Sequence, residues 1–139
     1  VLQLHVIGMF LPSLFTGDLI KYFGHKKIIY SGVLIMFLTI TTHFIFESYY
    51  GYMIGLILLG IGWNFLFVSG TSLLVVSYNK EDKFLAQGLN DFVVFSSQSI
   101  GALSAGIILF STSWKTLNLI CLPLLILLLL FSILNNKKK

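Results

Sequence analysis

Long apolar runs broken by short polar punctuation make up nearly the whole chain. Residues 1–16 hold no Asp, Glu or Lys, and residues 28–46 hold none either; between them lies the Gly-punctuated basic stretch from Gly17 to Lys27. About 20 apolar residues suffice for a helix to cross a ~30 Å hydrocarbon core. The pattern therefore predicts an all-α, polytopic bundle of five spans, over residues 1–22, 28–46, 51–78, 84–110 and 117–134. Pro12 is expected to kink the first span, which membrane helices tolerate when neighbours re-satisfy the freed carbonyls. The third span is longer than the core is thick at ~1.5 Å per residue, so tilt or projection into the headgroups is expected.

The polar breaks orient these spans. The loops at 18–27 and 79–83 and the tail at 135–139 together carry eight of the nine lysines, and the alternate loops carry only Lys115. That alternation puts the lysine-rich side, including the C-terminus, in the cytoplasm, and the residue-1 end toward the outer face. Tyr49, Tyr50, Tyr52 and Trp114 fall where an outer aromatic belt is expected. The chain opens inside an apolar segment, with no Met, basic n-region or cleavage site. It is expected to be one membrane domain from a longer protein that supplies further N-terminal helices.

Composition narrows the class. Of 139 residues, 57% are hydrophobic and 10% charged, against about 25% charged in soluble domains. An integral membrane protein surrounded by lipid follows. The net charge of +4 belongs to loops and tail, and every basic residue is lysine. Without arginine forks or a clustered patch, no nucleic-acid partner is expected. Cys121 is the one cysteine and has no disulfide or CxxC partner. No catalytic constellation is present: there is no HExxH, no pair of aspartates within the spans and no Walker-type loop, and Phe67 stands where a GxSG elbow would need glycine. An enzyme, a resident metal and a cofactor are all unexpected.

Polar side chains inside spans are costly in hydrocarbon, so they face neighbouring helices or watery cavities. His5, spaced helically with Met9 and Pro12, can bind a solute, carry a proton, or bond a neighbouring helix as a neutral imidazole. Trp63 and Asn64 lie at mid-depth, roughly 20 Å along the third span. They are suited to an organic-solute cavity, or in the case of Asn64 to an interhelical bond. The fourth span is the most polar. It carries Asn90 and Asp91, which form either an ion site or a structural anchor, and Gln98 near mid-membrane. Gly51 with Gly55, and Gly101 with Ala105, are small-residue pairs that allow close helix approach. The fifth span has few polar residues and is expected to be peripheral and lipid-facing.

Gly17, Leu19, Gly24, His25, Lys26 and Lys27 together resemble the cytoplasmic loop signature of the major facilitator superfamily. The stretches around His5 to Gly17, Trp63 to Val68 and Gln87 to Phe92 resemble successive helices of bacterial members. The resemblance implies a C-terminal portion of a twelve-helix transporter, about helices eight to twelve; helices two to six are the alternative placement. Lys21 stands where the signature usually has an acidic residue, with Asp18 at a variable position, as in the degenerate second copy of the loop. By resemblance the whole protein is a secondary transporter that moves a small solute by alternating access, ion-coupled and without ATP. His5, Trp63, Asn64 and Gln98 become pathway candidates, and the loop residues with Lys21 a gating element. The alternative function is a non-transporting assembly or scaffold subunit that binds other helices through its small-residue faces.

Overall fold

A computed structural model describes residues 2–134. Val1 and the tail 135–139, which bear on the orientation argument, lie outside the described residues. Six helices follow one another: α1 (Leu2–Phe10), α2 (Ser13–Phe23), α3 (His25–Ile45), α4 (Tyr49–Val75), α5 (Lys83–Ser111) and α6 (Trp114–Leu134), with a single 3₁₀ turn at Lys80–Asp82 before α5. The described residues contain no strand. Four of these helices are long and apolar enough to cross a membrane. α1 and α2, bent by 41° at their break, meet the same length and composition when taken together as one broken span.

The bend sits at Pro12, as its chemistry requires. Proline has no N–H to offer the Gly8 carbonyl and its ring crowds the preceding turn. The helix restarts with Pro12 itself accepting from the Phe15 and Thr16 amides. The link from α2 to α3 narrows to Gly24, so residues 18–23 and 25–27 of the basic stretch are helical. Gly24 has φ +83° and donates its N–H to the Ile20 carbonyl, a helix stop that a Cβ would strain. The starts of α4 and α6 are capped by serine. Ser48 Oγ accepts from Gly51 N at 3.2 Å and Ser113 Oγ from Thr116 N at 3.2 Å.

α4 is the centre of the bundle, packing most extensively on α3 and next on α1. Small residues allow this. Gly32 on α3 faces Gly62 and Leu66 of α4, and a Cβ on Gly51 or Gly55 would run into Phe46 or the His43 ring. The contacts His5–Leu56 and Met9–Asn64 advance together, so α1 runs parallel to α4. α3 runs antiparallel to both α4 and α6: His25 at the start of α3 meets Ser72 near the end of α4, while His43 near the end of α3 meets Asn118 at the start of α6.

The last two helices are the least covered. α5, the most polar span, has no buried residue, and a Cβ added at Gly88, Gly101 or Gly106 meets nothing within 4 Å. α6 keeps the peripheral character expected of it, with only Asn118 buried, but one stripe packs against α3 and walls a cavity of about 310 Å³ with Trp114, Asn118 and Cys121. The reason lies in spacing. Trp114, Asn118, Cys121 and Leu125 recur every three or four residues, so they share one stripe, and that stripe turns inward.

Candidate functional site

The Pro12 kink creates a demand that α4 answers. Breaking the helix strips the carbonyls of Gly8, Met9 and Phe10 of their usual donors four residues on. Ser13 Oγ donates to the Phe10 carbonyl at 2.5 Å, and Asn64 Nδ2, from α4, donates to the Met9 carbonyl at 2.7 Å. Because Nδ2 is committed to a carbonyl, Oδ1 is the acceptor. It lies 2.7 Å from Thr16 Oγ1, whose single proton is shared between Asn64 and the Pro12 carbonyl at 2.8 Å. Asn64 is 2% exposed and Thr16 0%. One amide thus staples both sides of the bend to α4. His5 adds a second tie at the other end of α1: its Nδ1 lies 2.8 Å from the Leu56 carbonyl, and since a carbonyl only accepts, Nδ1 carries the proton. Between the two ties the backbones nearly touch, for a Cβ on Gly60 would come within 2.5 Å of the His5 carbonyl and one on Gly8 within 2.9 Å of Ile57 O.

Trp63, next to Asn64 in sequence, points elsewhere. It lines an open groove of about 350 Å³ between α4 and α5, with Leu66, Phe67, Val93, Val94, Ser97 and Gln98. Trp63 and Phe67 stack with ring centroids 4.7 Å apart and planes 10° off parallel, as their i, i+4 spacing allows. Trp63 and Gln98 both sit near the middle of their helices, so the groove lies at mid-depth. It offers a flat aromatic wall on one side and an amide and a hydroxyl on the other. That pairing can hold a planar solute by its face and read its polar edge.

The four pathway candidates therefore divide. Trp63 and Gln98 share the groove; His5 and Asn64 hold the α1–α4 seam. Asn90 and Asp91 lie nearer the lysine-rich end on an exposed part of α5, with Asn90 Nδ2 3.3 Å from Asp91 Oδ1. Of the loop signature, His25 Nε2 is 2.9 Å from Ser72 Oγ, which docks the start of α3 on α4. Lys21 Nζ is 3.0 Å from Asp18 Oδ1 one turn back, both side chains well exposed. The basic residue at position 21 thus has its partner within its own helix. A Cβ at Gly17 meets nothing within 4 Å. The face of α2 that carries it is uncovered by the described residues.

Several polar pairings could not be named from sequence. Thr16 is signalled only by lying one turn after a proline. His43, near the end of α3, is 3% exposed and bonds Asn118 Oδ1 through Nδ1 at 3.3 Å. Glu47, just after α3, pairs with Lys115 at the start of α6. Ser69 Oγ on α4 is buried with no partner among the described residues.

Comparison with known proteins gives this geometry a context. The sequence model described as Major Facilitator Superfamily matches residues 1–139. Among curated relatives, the riboflavin transporter RfnT of Brucella anthropi is 41% identical over 140 residues, covering 99% of this chain and 35% of that protein. Two Bacillus subtilis proteins described as uncharacterized MFS-type transporters, YdeG and YddS, are 35% and 30% identical, each alignment covering 86% of this chain and 28% of the relative. The chain thus spans about a third of the length of these relatives. No solved structure matches it.

Proposed function

The chain belongs to the major facilitator superfamily, and from that premise we propose that it forms part of a secondary transporter that moves a small organic solute through the α4–α5 groove. The observation that carries this reading is the groove at mid-depth, where the Trp63–Phe67 stack faces Gln98 and Ser97 across about 350 Å³. Members of transporter families bind their solutes near the bilayer midplane between two helical bundles. The groove is open on one side, and α5 carries its polar residues and bare glycines on an uncovered surface. We assign that surface to the N-terminal helices of the same transporter, which would close the pathway; the chain itself supplies about helices eight to twelve. Its placement in the second half is supported by Lys21, which takes the usual acidic position of the loop signature and pairs with Asp18 instead.

Alternating access requires α2–α3 and α5 to move against partners, and the open faces at Gly17 and Gly101 with Ala105 suit such sliding contacts. Coupling to an ion is assigned to Asp91 with Asn90, the exposed carboxylate–amide pair on α5. His5 and Asn64 act as positioning residues that hold the kinked first span against α4. The protein is placed in a bacterial inner membrane with the Lys26 end cytoplasmic, which the lysine distribution supports.

Riboflavin is the first solute to test, because it appears in the name of a relative aligned over nearly this whole chain and has a flat conjugated ring with hydrogen-bonding edges. In cells expressing the complete transporter, labelled riboflavin uptake or efflux should fall at least about tenfold in Trp63→Ala and Gln98→Ala, a loss of ~1.4 kcal/mol or more, with membrane levels unchanged. Undiminished transport in both variants removes the groove from the pathway.

A further inference from the structure

At the end of the bundle away from Lys26, α3, α4 and α6 enclose a two-part cavity unrelated to the α4–α5 groove. Its deeper part, about 310 Å³, is walled by Met36, Ile40, Leu59, Leu117 and Leu124. Its outer part, about 330 Å³, is polar and is lined by Glu47, Tyr52, Ser113 and Lys115. His43 and Trp114 belong to both walls, so the two parts adjoin. Along α6 the lining runs from Trp114 to Leu125, about 16 Å at the helical rise, close to half of a ~30 Å hydrocarbon core. An apolar slot one leaflet deep, ending in a polar chamber at an aromatic and charged rim, has the shape of a lipid.

The rim chemistry narrows the lipid. Trp114 stands on the wall where the two parts meet, its ring edge-on to His43 and Tyr52 at 5.2 and 5.9 Å between centroids, and its Nε1 is buried with no acceptor among the described residues. A phospholipid carries its ester carbonyls at that level, between chain and headgroup, and an indole N–H there bonds such acceptors. Above it stand one anion and one cation, Glu47 and Lys115, ion-paired with each other and about half exposed. An exposed pair of this kind contributes little, so it exchanges readily for two charge contacts with a headgroup. An anionic headgroup would meet Lys115 but be repelled by Glu47; a zwitterionic one satisfies both, ammonium on Glu47 and phosphate on Lys115.

We propose that this cavity binds one zwitterionic phospholipid, with an acyl chain between α3, α4 and α6, an ester carbonyl at Trp114, and the headgroup across Glu47 and Lys115. The lipid ties α6 to the α3–α4 hairpin on a face separate from the solute groove.

Cys121 lines the deeper part and is accessible, which makes it a built-in reporter. The complete transporter, with Cys121 as its one retained thiol, is reconstituted in nanodiscs of phosphatidylethanolamine or of phosphatidylglycerol with matched chains. N-ethylmaleimide should alkylate Cys121 about fivefold more slowly in phosphatidylethanolamine, the factor one charge contact of ~1 kcal/mol supplies. Lys115→Gln, a change at the exposed rim, should erase the difference, and native mass spectrometry should show one phosphatidylethanolamine retained by the wild type and lost by the variant. Equal alkylation rates in the two lipids, or an undiminished preference in Lys115→Gln, would overturn the proposal. Protection that ignores the headgroup would overturn it as well.

Discussion

Replacing Gly60 by alanine tests the seam between α1 and α4 at its tightest point. The added Cβ would stand 2.5 Å from the His5 carbonyl oxygen and 2.9 Å from Gly8 C and Met9 N, all backbone atoms that no side-chain rotation can clear. Restoring an ordinary 3.4 Å contact means the seam opens by about 0.9 Å. The hydrogen bonds that cross it, His5 Nδ1 to Leu56 O at 2.8 Å and Asn64 Nδ2 to Met9 O at 2.7 Å, would then stretch beyond the ~3.2 Å limit of a useful N–H···O bond. Interhelical bonds in membranes average ~0.6 kcal/mol and reach ~1.7, so losing both costs about 1–3 kcal/mol. Gly70→Ala is the matched control, because its Cβ meets nothing within 4 Å and α4 gains a better helix former. Detergent-titration unfolding of the reconstituted transporter should show Gly60→Ala destabilised by about that 1–3 kcal/mol and Gly70→Ala neutral or slightly stabilised. Equal stability of the two variants would refute the close-contact account of this seam.

Three further outcomes follow from other contacts. Asn64→Ala and His5→Ala, which each remove one tie of the kinked span, should lower transport while leaving membrane insertion intact, as read by solute flux against the amount of protein in the membrane. Full activity in both would dissolve the positioning role. Gly24→Ala, at φ +83°, should cost ~1–2 kcal/mol of stability through left-handed backbone strain, measured by the same unfolding titration. Asp18→Asn should shift stability by less than ~0.5 kcal/mol, because its partner Lys21 is an exposed neighbour one turn away; a larger effect would mean that Asp18 has a second partner in the complete protein.

The alternation of apolar runs and lysine-bearing breaks carried the helical membrane architecture, and Pro12 carried the broken first span. Both are local properties, fixed by chain chemistry and bilayer thickness. What the sequence could not carry is which face of α4 a residue points to relative to its partners. Trp63 and Asn64 are neighbours read together as one site, yet about 100° of helical turn sends one to α5 and the other to α1. Asn64 is claimed by the Met9 carbonyl only because the kink at Pro12 happens to present it at the same height. Likewise, α6 reads as uniformly apolar until Trp114, Asn118 and Cys121 are counted around the helix and not along it. The partnership of Glu47 with Lys115 joins two turns far apart in the chain, which no local pattern encodes.

The central claim is that the α4–α5 groove, and not the α1–α4 seam, is the solute path. Single-cysteine variants of the complete transporter, made with Cys121→Ser, measure this directly through alkylation by a water-borne, membrane-impermeant thiol reagent. Gln98→Cys should react, and the transported solute should slow that reaction, while Asn64→Cys should stay unreactive. An unreactive or solute-indifferent Gln98→Cys together with a reactive Asn64→Cys would contradict the account.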